Sequence, residues 1–290
     1  MMTKAICIGE CMIEVRPAGG DDYRLSFAGD IYNAAVYLKR AAPQIDVQFL
    51  SATGSDPMSA KMRAHWAANG IGDHLTPSLG TQPPGLYLID LDRHGERSFV
   101  YWRSASPARF WLKKLLAAGG ADLLAGADLV LLSGISLAIL DEAEQAQALE
   151  LLAQLRLRVG LIAFDPNYRA RLWPDAMAAS RVIQQAIGHS DIVLPSIEDV
   201  RALELDLSQV GEAVISLGDQ GCQLHIGRTT LDLPASRPAA PVVDTSGAGD
   251  SFTGAYLAAR LTGNPPLVAA QRGLDLAARV VTFRGAISNL

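Results

Sequence analysis

Leu129-Val-Leu-Leu132, then a run from 140 to 157 with apolar residues at helical spacing, then Leu161-Ile-Ala-Phe164: strand, helix and strand follow one another here. Both apolar runs are short and lack the alternation of a half-exposed strand, so each is covered on both faces, as in a parallel sheet. The same rhythm recurs outward in both directions. Residues 5–8, 47–50, 192–194 and 214–217 read as further buried strands, and 31–40, 59–69 and 176–187 as helices. The order βαβα predicts an α/β sandwich with a mainly parallel sheet.

One region breaks the rhythm. Gly85-Leu-Tyr-Leu-Ile-Asp-Leu91 and Arg97-Ser-Phe-Val-Tyr-Trp-Arg103 alternate in polarity and flank Asp92-Arg-His-Gly95, a turn-forming sequence. That is an antiparallel hairpin with no helix beside it, so it must serve as an edge, a lid or a contact between copies. Residues 12–27 are candidates for further strands of the same small sheet. No linker or repeat divides the chain. Residues 1–290 therefore read as one domain, with lid strands drawn from about 10–30 and 85–103.

Composition excludes several classes. The chain has 290 residues, 49% of them hydrophobic, and 25 basic against 30 acidic side chains give a net charge of −5. Nucleic acid and anionic membranes both ask for a basic surface, so neither is an expected partner. Glu10 interrupts the N-terminal apolar stretch, which makes a poor signal peptide, and the apolar region 121–140 carries Asp122 and Asp128. A cytoplasmic protein is expected. Cys7, Cys11 and Cys222 fit neither a zinc site nor a disulfide framework and read as small buried hydrophobes. None of the five histidines falls in a metal or nucleophile motif.

The chemistry concentrates in Asp244-Thr-Ser-Gly-Ala-Gly-Asp250. Phe252, Ala255, Tyr256 and Ala259 follow at helical spacing, so a helix begins at this loop. Glycines before a helix leave backbone N–H groups free where the helix dipole favours negative charge. Gly247, Ala248 and Gly249 thus form an anion hole suited to phosphate. Asp250 would repel phosphate, and its place beside the hole makes sense if it accepts the proton of an attacking hydroxyl. The plainer alternative is an acid that merely caps the helix.

These residues resemble the second sequence pattern of the ribokinase-like (PfkB) carbohydrate kinases, all of whose fixed positions are present. The resemblance implies a three-layer α/β/α sandwich with a small β-sheet lid, and ATP as phosphate donor. It implies Asp250 as catalytic base and the amides of Gly247, Ala248 and Gly249 as the phosphate cradle. No P-loop sequence is present. The family's sugar-binding pattern is similar to Ala28-Gly29-Asp30-Ile-Tyr-Asn33, with alanine replacing its first glycine. That pattern implies Gly29, Asp30 and Asn33 as sugar contacts. Residues 8–14, 27–33, 95–103, 132–140 and 165–173 look most like the members of the family that phosphorylate 2-keto-3-deoxygluconate.

An acidic sugar is supported independently. Tyr101 and Arg103 are two apart on a strand and face the same side. Arg169 follows the strand ending near Asp165, at the carboxyl end of the sheet where ligands bind. Arginine grips a carboxylate through paired charge-assisted hydrogen bonds, which a neutral hexose would not need. The bland alternatives are an ATP phosphate for Arg169 and solvent for Arg103. Tyr87, on the partner strand, adds a sugar hydrogen bond or packs in the lid.

For the nucleotide, Val214-Ile-Ser-Leu-Gly-Asp-Gln-Gly221 looks like the family's strand and glycine turn beside ATP, which implies Ser216, Gly218 and Gly221 as contacts. Asn167 and Ser196 are added as ATP contacts. The family's metal-associated N-x-x-E pattern stands here as Ser196-Ile-Glu-Asp199, which leaves Asp199 either orienting Mg²⁺ through water or capping a helix. By family analogy a monovalent cation sits near Asp244, and Arg284-Gly-Ala286 resembles the end of the adenine pocket. The expected partners are a sugar acid, ATP and a second copy docked through the lid. The competing readings are a kinase of fructose, ribose or another sugar acid, and a non-catalytic sugar-acid sensor on the same fold.

Overall fold

The computed structural model describes residues 2–91 and 97–288, so the turn predicted at 92–95 lies outside the described residues. The first half of the chain runs β1 (Lys4–Ile8), β2 (Met12–Gly19), β3 (Asp22–Ala28), α1 (Asp30–Ala41), β4 (Asp46–Leu50), α2 (Pro57–Ala68), β5 (Leu86–Leu91) and β6 (Arg97–Trp102). Next come α3 (Trp111–Ala117), α4 (Ala121–Leu124), β7 (Leu129–Ser133), α5 (Gly134–Ala138), α6 (Glu142–Leu155), β8 (Leu161–Asp165), α7 (Ala176–Gly188) and β9 (Ile192–Val193). The chain finishes with α8 (Ile197–Leu203), β10 (Glu212–Ser216), β11 (Gly221–Ile226), β12 (Thr229–Pro234), α9 (Ala248–Leu261) and α10 (Pro266–Val280).

The large sheet has eight strands in the order β12-β11-β10-β9-β8-β7-β1-β4. Its pairs from β10 through β4 are parallel, and β11 and β12 extend one edge antiparallel. Alternate residues of the central strands serve two separate cores. Ile6, Ile8, Val130, Leu132, Ile162 and Phe164 pack with Trp111 and Leu112 of α3, Leu149 and Leu152 of α6, and Val182 and Ile183 of α7. Ala5, Cys7, Leu129, Leu131 and Ala163 pack with residues of α1, α2, α9 and α10. Period two along each strand therefore produces three layers, helix, sheet and helix.

The helix expected over 140–157 forms as α6, two residues shorter at each end. Asp141 caps α6, its carboxylate accepting from Glu144 N at 2.8 Å while the Glu144 side chain reaches back to Asp141 N. That reciprocal cap sets a new helix start and leaves α5 as a separate turn. The strand expected over 192–194 shrinks to two residues.

A second sheet of four strands, β3-β2-β5-β6, stands apart from the first. Pairs β2–β3 and β5–β6 are antiparallel, and β2–β5 is parallel because residues 29–85 intervene. One face carries Met12, Glu14, Tyr87, Ile89, Phe99 and Tyr101, of which Glu14 is opposite Tyr87 and Tyr87 opposite Tyr101. These residues line a cleft against the large sheet.

Candidate active site

The carboxyl ends of the parallel strands and the N-termini of α1 and α9 enclose two adjoining clefts, of about 550 Å³ and 620 Å³. Phe99, Asn167, Arg169, Ser246 and Asp250 line both. Asp250 thus stands where the contents of the two clefts would meet.

Gly247 opens α9 with φ 73°, a left-handed conformation that favours glycine. A Cβ there would fall 2.2 Å from the Ala286 carbonyl oxygen, so the loop tolerates no side chain. Asp244 holds the loop from behind, accepting from Ser246 N at 2.9 Å and from Gly285 N at 2.8 Å. The α9 terminus, with Gly247, Ala248, Gly249 and Asp250, therefore faces the smaller cleft with its amides and its dipole.

Asp250 lies in the first turn of α9, and its Oδ2 accepts from Asn33 Nδ2 at 2.7 Å. Burial pushes its carboxyl up to about 7; the Asn33 hydrogen bond opposes the shift and the charge of Asp30 adds to it. A carboxyl so placed is a proton acceptor poised near neutrality. Asp30 accepts from Ser133 Oγ at 2.6 Å and from Asn167 Nδ2 at 2.9 Å. Gly29 touches the preceding turn so closely that a Cβ would fall 2.0 Å from the Glu10 carbonyl oxygen. Ala28, in place of the expected glycine, ends β3 with an ordinary negative φ and no strain.

On the small-sheet side, Tyr101 and Arg103 do line the same cleft, together with Tyr87 and Arg169. Their partners were not foreseen. Arg103 Nη2 donates to Glu10 Oε2, and Glu10 is only 2% exposed. Tyr87 donates to Glu14 Oε2 at 2.5 Å, and burial with the Glu14 charge raises its phenol. Ser26 Oγ also donates to Glu14, at 2.7 Å. Arg171 lies over the Tyr101 ring, 3.7 Å from its centroid. Arg169 makes one long hydrogen bond, 3.4 Å, to the Tyr168 carbonyl. The signal for Glu10 and Glu14 was available: two acids inside the apolar run 5–15 must be buried with partners.

The expected nucleotide residues divide. Ser196, Ser216 and Asn167 line the smaller cleft, whereas Gly218 and Gly221 are not among its lining residues. Both glycines have positive φ, 62° and 111°, and shape the turn into β11 instead. Asn167 also has positive φ, 34°, and its side chain is spent on Asp30. Ala286 borders the larger cleft, not the nucleotide side expected for residues 284–286.

Asp199 is buried rather than exposed. Its Oδ1 accepts from Tyr168 N at 2.9 Å and its Oδ2 from Ser196 N at 3.1 Å, in a reciprocal cap of α8. Asp165, which the sequence did not single out, lines the same cleft. Burial, and then the charges of Asp199, Asp30 and Asp250, push its carboxyl well above the usual range. Among the described residues no group of three or more His, Cys, Asp or Glu side chains could hold a metal ion. This donor set fits a cation kept mainly by water and phosphate oxygens, not a protein cage.

A glycine loop at a helix terminus, a carboxyl of raised pKa beside it and a polar cleft on the far side suit phosphoryl transfer to a small hydroxyl compound. The chain belongs to the pfkB family of carbohydrate kinases, whose profile matches residues 2–290. It is 40% identical to a 2-dehydro-3-deoxygluconokinase of Dickeya dadantii, over 99% of this chain and 97% of that one. A fructokinase from Xylella fastidiosa solved with bound ATP has the same fold, with TM-score 0.84 and 20% identity over 99% of this chain and 94% of the other. A Vibrio cholerae fructokinase variant holding fructose, ADP and potassium ion superposes with TM-score 0.81 and 21% identity, over 99% of this chain and 94% of that one. The chain is therefore an ATP-dependent sugar kinase. Among the described residues no helix is long and apolar enough to cross a membrane.

Proposed function

We propose that this chain transfers the γ-phosphoryl group of ATP to the terminal hydroxyl of 2-keto-3-deoxygluconate, giving 2-keto-3-deoxy-6-phosphogluconate and ADP. The observation that carries the reading is the position of Asp250, at the junction of the two clefts and in the first turn of α9. The likeness to the Dickeya enzyme supports the choice of sugar acid.

The sugar occupies the larger cleft, between Gly29, Asp30 and Asn33 on one side and Tyr87, Tyr101, Arg103 and Arg169 on the other. ATP occupies the smaller cleft, beside Asn167, Ser196 and Ser216. Asp250 takes the proton of the attacking hydroxyl as the oxygen–phosphorus bond forms and the bond to ADP breaks. Asn33 holds the carboxylate in line through its 2.7 Å hydrogen bond. The amides of Gly247, Ala248 and Gly249 receive the phosphoryl oxygens, so that charge is met by fixed dipoles. Mg²⁺ neutralises part of the phosphate charge when bound; Asp199 and Asp165 would hold it through water. A monovalent cation beside Asp244 belongs to the same proposal.

The four-stranded sheet acts as the lid, with Phe99 reaching both clefts and excluding water from the transferred group. Two copies associate through the outer face of that sheet, and the enzyme works in the cytoplasm, where ATP is available.

The test is ADP release with 2-keto-3-deoxygluconate, fructose, ribose and gluconate at equal concentrations. The keto-deoxy acid should have the highest kcat/KM. Preference for a neutral sugar would reject the substrate and keep the kinase, and tight sugar binding without ADP release would point to a sensor.

A further inference from the structure

The larger cleft is lined by more acidic than basic side chains. Glu10, Glu14, Asp30 and Asp250 line it, against Arg103, Arg169 and Arg171. Glu14 and Asp30 are met by hydroxyl and amide donors, which satisfy their lone pairs and leave their charge. Glu10 takes Arg103. The pair is well buried, with side-chain exposures of 10% for the arginine and 1% for the acid, so part of the guanidinium charge is offset internally, while Arg103 Nε and Glu10 Oε1 are buried without a partner. An anionic sugar entering this cleft would then find Arg169 and a partly offset Arg103 as counter-charges among the residues expected to bind it.

Arg171 corrects the balance. It follows Arg169 by two residues in the short 3-10 turn after β8, so both side chains rise from one loop at the carboxyl end of the sheet. Among the described residues it makes no hydrogen bond or ion pair, and its one recorded contact is the Tyr101 ring. Tyr101 is itself stacked on Tyr87, centroids 5.6 Å apart and planes at 25°, which fixes the surface on which the guanidinium rests. A guanidinium lying on an aromatic face keeps its N–H edge free in the plane, where a carboxylate binds with two parallel hydrogen bonds.

We propose that Arg171, stacked on Tyr101, is a specificity-determining residue that grips the carboxylate of the sugar acid together with Arg169. This inference rests on the reading of the substrate as a sugar acid.

The experiment is calorimetric binding, without ATP, of 2-keto-3-deoxygluconate and of its neutral methyl ester to the unaltered protein, Arg171→Ala and Arg171→Lys. One charged hydrogen-bond contact is worth about tenfold in affinity or more, so Arg171→Ala should weaken the acid by at least about tenfold. The ester should stay within about twofold, which also shows that the cleft is intact. Arg171→Lys should recover part of the loss, since it keeps the charge and loses the fork. Parallel weakening of acid and ester would overturn the proposal and make the contact a latch between loop and sheet. So would unchanged binding of both, or an unaltered protein that binds the ester as tightly as the acid. Failure of the proposed substrate appears elsewhere, as absence of ADP release with the keto-deoxy acid.

Discussion

Asp250 must be unprotonated to accept a proton, and its pKa stands at about 7. kcat/KM should therefore rise as pH passes through about 7 from below. The Asn33 hydrogen bond favours the charged form, so Asn33→Ala should move the inflection to higher pH. An inflection in the ordinary carboxylate range would contradict the burial on which the base depends. The sign for stability is opposite. A carboxyl raised from 3.8 to about 7 in the folded state favours folding less as pH climbs through that window. Asp250→Asn should thus melt higher than the unaltered protein above neutral pH, and calorimetric melting that shows no gain would count against the shift. Asp250 was legible as a candidate base because its loop has a distinctive order of glycine and acid. The pairing of Glu10 with Arg103 was not, because a partner across 93 residues leaves no local pattern, only an acid stranded in an apolar run.

At the scale of the element, α9 begins at Gly247 because no other residue fits there. Gly247→Ala meets both a left-handed φ, costing about 1–2 kcal/mol, and the Ala286 carbonyl. The variant should lose at least that stability and most of its turnover, with the KM for ATP rising; unchanged melting and turnover would show that the loop relaxes freely. Buried strands were legible in outline because both faces need apolar residues. Element ends were less so. The Asp141 cap starts α6 two residues inside a run whose hydrophobic spacing alone reads as helical from 140. The parallel β2–β5 pair was hidden because the two strands are separated by a helix, a strand and another helix of the main body.

For the whole molecule, the small sheet has two unlike faces. The face away from the cleft aligns Leu25, Val15, Leu88 and Val100 in one row and Phe27, Ile13, Leu86 and Trp102 in the next. Leu25 and Trp102 are 59% and 58% exposed, and Tyr23 and Val100 extend the same apolar surface. Such a patch predicts association. Light scattering should give twice the 30.8 kDa of one chain, and Trp102→Glu should return it to the single-chain mass. A single-chain mass at micromolar concentration without any substitution would refute the contact. The layered body was readable from strand and helix alternation, while the division of labour between the faces of the small sheet needed the register of all its strands.

The account turns on Asp250 as the acceptor of the sugar's proton, and the direct measurement is kcat for Asp250→Asn with 2-keto-3-deoxygluconate, beside calorimetric binding of that sugar. A positioned base contributes about 10²–10⁴-fold, so kcat should fall by that order while the sugar still binds. A variant that retains kcat within about tenfold would remove Asp250 from the chemistry and leave it a helix cap.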